Sequence, residues 1–167
     1  MFVINKGPTI SAIALIALVN YLLHGLGDLV NWNESLKANY GQPLSFELLL
    51  GWIFQFVAFS IGVPWEDALH FGSLLGTKIV INEFVAYSEM GTMIEAGKIL
   101  NEKTILMLTY ALCGFANFSS IAIQIGGLGP LAPNKKSDIA GLGIKAVIGG
   151  VMATLMTATL AGLLFIN

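Results

Sequence analysis

In a chain of 167 residues, a hydrophobic content of 56%, a charged content of 11% and a mean hydropathy of +0.79 exclude a soluble domain, because too few polar side chains remain to cover the surface. Arginine is absent, lysine carries all the positive charge and the formal net charge is -2, so no basic face exists for a nucleic acid. The single cysteine, Cys113, excludes an internal disulfide and a thiolate metal cluster.

Residues 8–26 open on Pro8, suited to a first helical turn, and run apolar as far as Gly25-Leu26-Gly27, which predicts a crossing helix. Lys6 ahead of an apolar run resembles a signal peptide, but no small-residue cleavage pattern follows, so the segment reads as a retained helix. Asp28 to Ser45 turns polar, with Trp32 and Tyr40 suited to a membrane interface, and is expected to be an exposed loop. Residues 45–63 are apolar and aromatic but short for a span before Pro64, which fits an in-plane helix. Residues 64–91 mix apolar side chains with Glu66, Asp67, His70, Lys78, Glu83 and Glu89 and are interrupted at Gly72, Gly76 and Asn82. A lipid-facing helix does not tolerate this mixture, whereas a re-entrant helical hairpin shielded by protein does.

Residues 104–128 are long enough to cross, yet their middle, Gly114 to Ser120, carries an amide and two hydroxyls in otherwise apolar sequence. Unpaired polar groups in hydrocarbon cost several kcal/mol, so this stretch predicts two half-helices with a loosened joint lining a site. A Gly-Pro loop from Gly129 to Lys136 leads into a last crossing, 139–166, where Gly141, Gly143, Gly149, Gly150 and Gly162 permit close helix contact. The expected fold is an all-α integral membrane protein with three crossings, an in-plane helix and a re-entrant hairpin, one crossing helix being discontinuous. Lys6 and the pair Lys135-Lys136 then share one side, in accord with the positive-inside rule.

Glu83, flanked by Ile79, Val80, Ile81, Phe84 and Val85, is the leading candidate for a ligand-binding carboxylate; a structural ion pair with Lys78 at the hairpin bend is the competing role. Asn117 and Ser120, three apart, share a face if the backbone stays helical and present an amide and a hydroxyl to a polyhydroxylated ligand, or serve as glue between helices. Ser119 is expected to point elsewhere and bond backbone, and Gln124 fits either class. Gly72 to Lys78 has the wrong spacing for a phosphate loop, and neither His70 nor His24 has the companions a metal site needs. A hydrolase using Ser119 or Ser120 lacks a base nearby in sequence, so no enzyme is expected.

Gly62-Val63-Pro64-Trp65, then Gly76-Thr77-Lys78 with Asn82-Glu83-Phe84-Val85-Ala86-Tyr87, then Cys113-Gly114-Phe115-Ala116-Asn117-Phe118-Ser119-Ser120, in this order and spacing, resemble the concentrative nucleoside transporters. The Leu128 to Pro133 loop, Asp138-Ile139-Ala140 and Gly143 to Val147 extend the likeness along nearly the whole chain. The resemblance implies nucleoside uptake coupled to sodium or a proton, a homotrimer in the plasma membrane (the inner membrane of a bacterium), and no cofactor. It also implies that 1–44 form a scaffold helix with its loop and 45–167 the second of two inverted repeats. The hairpin-bearing unit would move against a scaffold that includes the first crossing and the in-plane helix. Glu83, Asn117 and Ser120 would bond the ribose hydroxyls of a nucleoside such as uridine, and Phe115 would line the pocket. The base-reading residues and the sodium site belong to the family's first repeat, which has no counterpart in these residues, so an N-terminal half is implied as partner. The alternative from another class is a membrane-embedded scaffold or assembly subunit without transport, with Glu83 paired permanently to Lys78.

Overall fold

The computed structural model describes residues 7–98 and 101–165, with side chains from residue 14 onward. Lys6, on which the orientation argument leans, and residue 166, the expected end of the last crossing, lie outside the described residues. Among the described residues the secondary structure is all helical: α1 (Gly7–Leu29), α2 (Asn33–Tyr40), α3 (Phe46–Ser60), α4 (Trp65–Val80), α5 (Glu83–Glu95), α6 (Glu102–Leu112), α7 (Phe118–Leu128), a 3-10 turn (Pro133–Lys135) and α8 (Lys136–Leu164).

The chain restarts its helices on side chains that take up the first free backbone N–H groups. Ser45 accepts from Leu48 N at 3.2 Å ahead of α3, Asn82 from Val85 N at 2.9 Å ahead of α5, and Asn101 from Lys103 N at 3.0 Å ahead of α6. Asn117 does the same for α7, accepting from Ser120 N at 2.7 Å. The breaks inside the hairpin and inside the α6–α7 pair thus each begin their second helix on an asparagine cap, which takes up part of the hydrogen-bonding that a helix interruption away from water must satisfy.

Two helices pack unusually closely. A Cβ added to Gly72 of α4 would meet Gly51 O of α3 at 2.6 Å, one on Gly76 would meet Glu47 O at 2.9 Å, and one on Gly51 would meet the Ser73 Cα at 3.0 Å. The glycines read as hairpin interruptions are thus the seam along which α3 and α4 touch backbone to backbone. On α8, Gly143, Gly150 and Gly162 instead meet the side chains of Ile121, Ala116 and Met107, while Gly141 and Gly149 have open space beside them.

The core lies between the hairpin and the broken helix: Phe71 and Leu74 of α4, Ala86 of α5, Met107, Leu108 and Leu112 of α6 and Ala158 of α8 are all buried together. A second apolar cluster, Leu75, Ile79, Ala116, Val147 and Val151, surrounds the joint between α6 and α7. The outer stripe of α8, Ile148, Met152, Met156 and Leu160, is exposed at helical spacing, as on a helix whose outer face meets lipid or protein.

The segment expected as an exposed loop differs. It contains α2, and α1 and α2 meet at 108° across a short break. Asn33 is buried there, donating to His24 O at 2.9 Å and Asp28 Oδ1 at 2.7 Å and accepting from Leu44 N at 2.9 Å, while Leu36 packs on Leu44 and Leu48. Good helix formers at Glu34, Leu36, Lys37 and Ala38 and these tertiary contacts together make the stretch helical. A further polar bolt joins α1 to α3, where the Asn20 side chain donates to both Glu47 carboxylate oxygens at 3.0 Å and accepts from Phe46 N at 2.8 Å.

By length and hydropathy one helical stretch among the described residues, Pro133–Leu164, is fit to cross a membrane unaided; Ala14–Leu29 and Asn33–Tyr40 qualify only as a bent pair. The apolar helices Phe46–Ser60 and Phe118–Leu128 are shorter than a span.

Candidate functional site

Two interrupted helices meet at the centre of the molecule. Ile81 and Asn82 separate α4 from α5, and Cys113 to Asn117 separate α6 from α7. The N-terminus of α5 carries Glu83 at its first helical position, and the N-terminus of α7 carries Asn117 as its cap. The free N–H groups and aligned peptide dipoles at such ends lower the energy of negative charge beside them.

Asn117 is fully buried and most of its hydrogen-bonding capacity is taken. Its Oδ1 accepts from Ser119 Oγ and from Ser120 N, each at 2.7 Å, and its Nδ2 donates to Glu83 Oε2 at 3.2 Å. Ser120 Oγ donates to Asn117 O at 2.6 Å and takes a longer contact, 3.4 Å, from Asn117 N, which closes a reciprocal capping box. Asn117 has extended backbone, φ -144° and ψ 168°, so it and Ser120 do not share a helical face; they are brought together as cap and third helical residue. Ser119, expected to point away, joins the cluster, its Oγ also lying 3.4 Å from Ile81 O at the hairpin bend.

Glu83 is half-buried and retains acceptor capacity beyond the Asn117 bond, since an ionised carboxylate offers about four lone-pair positions. The proposed ion pair with Lys78 is absent. Lys78 is fully buried, and its ammonium donates instead to Ala111 O at 2.7 Å and Thr154 Oγ1 at 3.1 Å. Because α6 ends at Leu112, the Ala111 carbonyl is one of the last-turn acceptors without a helical partner, and a cation there meets both the orphan oxygen and the negative helix end. The polypeptide break at Ile81-Asn82 parts Glu83 from Lys78 despite their closeness in sequence, which removes the competing role for Glu83.

Gly114 sits at φ +154°, and a Cβ there would meet Thr154 Cγ2 at 2.7 Å, so the joint passes α8 at a point only glycine fits. Beside the joint a cleft of about 340 Å³ opens between the α6–α7 break and α8, lined by Phe115, Ser120, Gln124 and Thr154 among others. Phe115 is exposed and offers the cleft an aromatic face. Of the residues singled out from sequence, Glu83, Asn117 and Ser120 thus form one bonded cluster, while Phe115 and Ser120 border the cleft. Ser119, Lys78 and Thr154 are the additions that folding reveals. Among the described residues no three acids, histidines or thiols gather as metal ligands.

Residues 7–162 match the family model described as "Na+ dependent nucleoside transporter C-terminus". Among curated relatives, the "Uncharacterized transporter YutK" of Bacillus subtilis (strain 168) is 48% identical over 161 residues, covering 96% of this chain and 37% of that protein. The "Sodium/nucleoside cotransporter 1" of Rattus norvegicus is 39% identical over 169 residues, covering 94% of this chain and 25% of that protein. A solved structure of an Asn-to-Leu variant of CNTnw in its intermediate 2 state is similar with a TM-score of 0.81 at 41% identity, covering 96% of this chain and 37% of that one. The chain thus spans little more than a third of the longest-covered of these proteins and a quarter of another. From residue 7 to residue 162, this chain is an integral membrane segment belonging to the concentrative, Na+-dependent nucleoside transporter family.

Proposed function

We propose that the chain works as the C-terminal half of a cation-coupled nucleoside symporter in the bacterial inner membrane, with the ribose-binding side of the substrate site built on α5 and α7. The observation that carries the reading is the 3.2 Å bond from Asn117 to Glu83 at the meeting of two capped helix ends. It leaves a half-buried, all-acceptor group facing the hydroxyl donors of ribose, a match of acceptor to paired donors that a carboxylate makes well. Ser120 and the exposed Phe115 ring, both on the neighbouring cleft, would supply a further hydroxyl and a stacking face.

In this reading the N-terminal half supplies the base-reading side chains and the sodium or proton site, the assembled protein is a homotrimer, and the site is exposed alternately to the two sides of the membrane. On this reading α1, the broken α6–α7 helix and α8 are the three crossings and the α4–α5 hairpin is re-entrant, so that the two capped breaks would lie within the membrane. Helix ends buried there are the usual construction of a transporter site. The scaffold-subunit alternative draws less support, because the permanent Glu83 to Lys78 pair that it needs is replaced by the Lys78 bonds to Ala111 and Thr154.

The test is uptake of labelled uridine into nucleoside-transport-deficient cells that express the chain with the N-terminal half of a family member. The wild type should accumulate uridine and Glu83→Gln should not, at equal membrane abundance. Abundance that falls with Glu83→Gln, without transport by the wild type, would instead favour the scaffold role.

A further inference from the structure

Asn117 can present either end of its amide to Glu83, and the two ends are nearly the same size. With Nδ2 toward the carboxylate the contact is a hydrogen bond; with Oδ1 toward it, two acceptors oppose each other. Ser120 N biases the choice, but that bond is one any N-cap acceptor makes. The second bias is the Ser119 hydroxyl, buried at 7% exposure and 2.7 Å from Asn117 Oδ1. A hydroxyl proton serves one acceptor at a time, and Asn117 Oδ1 is nearer than Ile81 O, which lies at 3.4 Å. The side chain therefore reaches from the second break of the fold toward the first and donates to the amide that holds the carboxylate.

We infer that Ser119 is a positioning residue for the ligand-binding carboxylate: its hydroxyl fixes which end of the Asn117 amide faces Glu83, and so keeps Glu83 aimed as an acceptor for ligand hydroxyls. The inference rests on the nucleoside-site reading of Glu83 given above. It assigns Ser119 no contact with ligand. Without the hydroxyl the buried Oδ1 loses one of two donors, the amide samples the flipped orientation, and Glu83 faces an acceptor and turns away.

Uridine and 2′,3′-dideoxyuridine separate this role from simple helix packing, because only uridine offers the paired hydroxyls. In the uptake cells described above, Ser119→Ala should raise the KM for uridine roughly five- to ten-fold, the equivalent of one net hydrogen bond, with maximal rate within about two-fold. The inhibition constant of 2′,3′-dideoxyuridine should not change. Ser119→Thr, which keeps the hydroxyl, should restore the uridine KM. An unchanged uridine KM, an equal loss for both ligands, or a fall in membrane abundance or melting temperature that accounts for the change overturns the inference while the wild type still transports. If the wild type itself fails to accumulate uridine, the nucleoside-site reading falls and this inference falls with it.

Discussion

The Lys78 ammonium donates to the Ala111 carbonyl at 2.7 Å, joining the interior of one hairpin arm to the last turn of the first half of the broken helix. A second bond, to Thr154 at 3.1 Å, reaches α8, so one buried cation ties three helices around the joint that carries Phe115 and Asn117.

Shortening Lys78 should be destabilising in a graded way. Lys78→Ala leaves a cavity and an uncapped carbonyl and should lower stability by about 3 kcal/mol. Lys78→Met fills most of the volume and should lose only about 1 to 2 kcal/mol. Thermal melting of the detergent-solubilised protein, with the order wild type, Met, Ala, checks the expectation.

Gly114 should resist substitution. Gly114→Ala meets both a strained backbone angle and Thr154 Cγ2 at 2.7 Å, and its melting temperature should drop. Adding Thr154→Ser removes the clashing methyl and keeps the hydroxyl that Lys78 uses, so the double variant should recover part of the loss and leave the part due to backbone strain.

Glu83→Gln should fold normally and bind poorly. The carboxamide keeps its length but replaces one acceptor oxygen by a donor, and a lost bond to a charged acceptor weakens affinity about ten- to a hundred-fold. The uridine concentration dependence of uptake, set beside membrane abundance, measures both halves of the expectation.

The α8 glycines should divide into two sets. Gly150→Ala and Gly162→Ala place a methyl within 3 Å of Ala116 and Met107 and should destabilise, by about 1 to 3 kcal/mol where the neighbour cannot yield. Gly141→Ala and Gly149→Ala meet nothing within 4 Å and should be neutral or gain up to about 1 kcal/mol from helix propensity. Melting of the four single variants decides it.

The interruptions of the fold were legible because their chemistry is local: Asn82, Asn117, Gly114 and Pro64 stand out against apolar neighbours, and capping residues announce themselves by type. Glu83, Asn117 and Ser120, which meet in one bonded cluster, stood out for the same reason as candidates. What escaped depended on distant contacts. Glu34, Leu36, Lys37 and Ala38 are good helix formers, but a run of eight residues is short, and Leu36 finds Leu44 and Leu48, and Asn33 finds Leu44 N, only after the chain has turned back. The competing role gave Lys78 the nearest acid in sequence, whereas its partner is a carbonyl 33 residues further on, made available by a helix end. Ser119 was read from its position on an ideal helix, although the amide it bonds lies outside that helix, in extended backbone.

At Gly51, Gly72 and Gly76 the backbones of α3 and α4 come close enough that sliding one along the other would drive backbone into backbone. The polar bolt from Asn20 to α3 is of another kind, since an amide can trade one acceptor for another as it moves. A displacement of the hairpin is therefore expected to carry α3 as cargo. In the proposed transport motion α3 would then travel with the hairpin rather than with α1, the reverse of the scaffold placement that the resemblance implied.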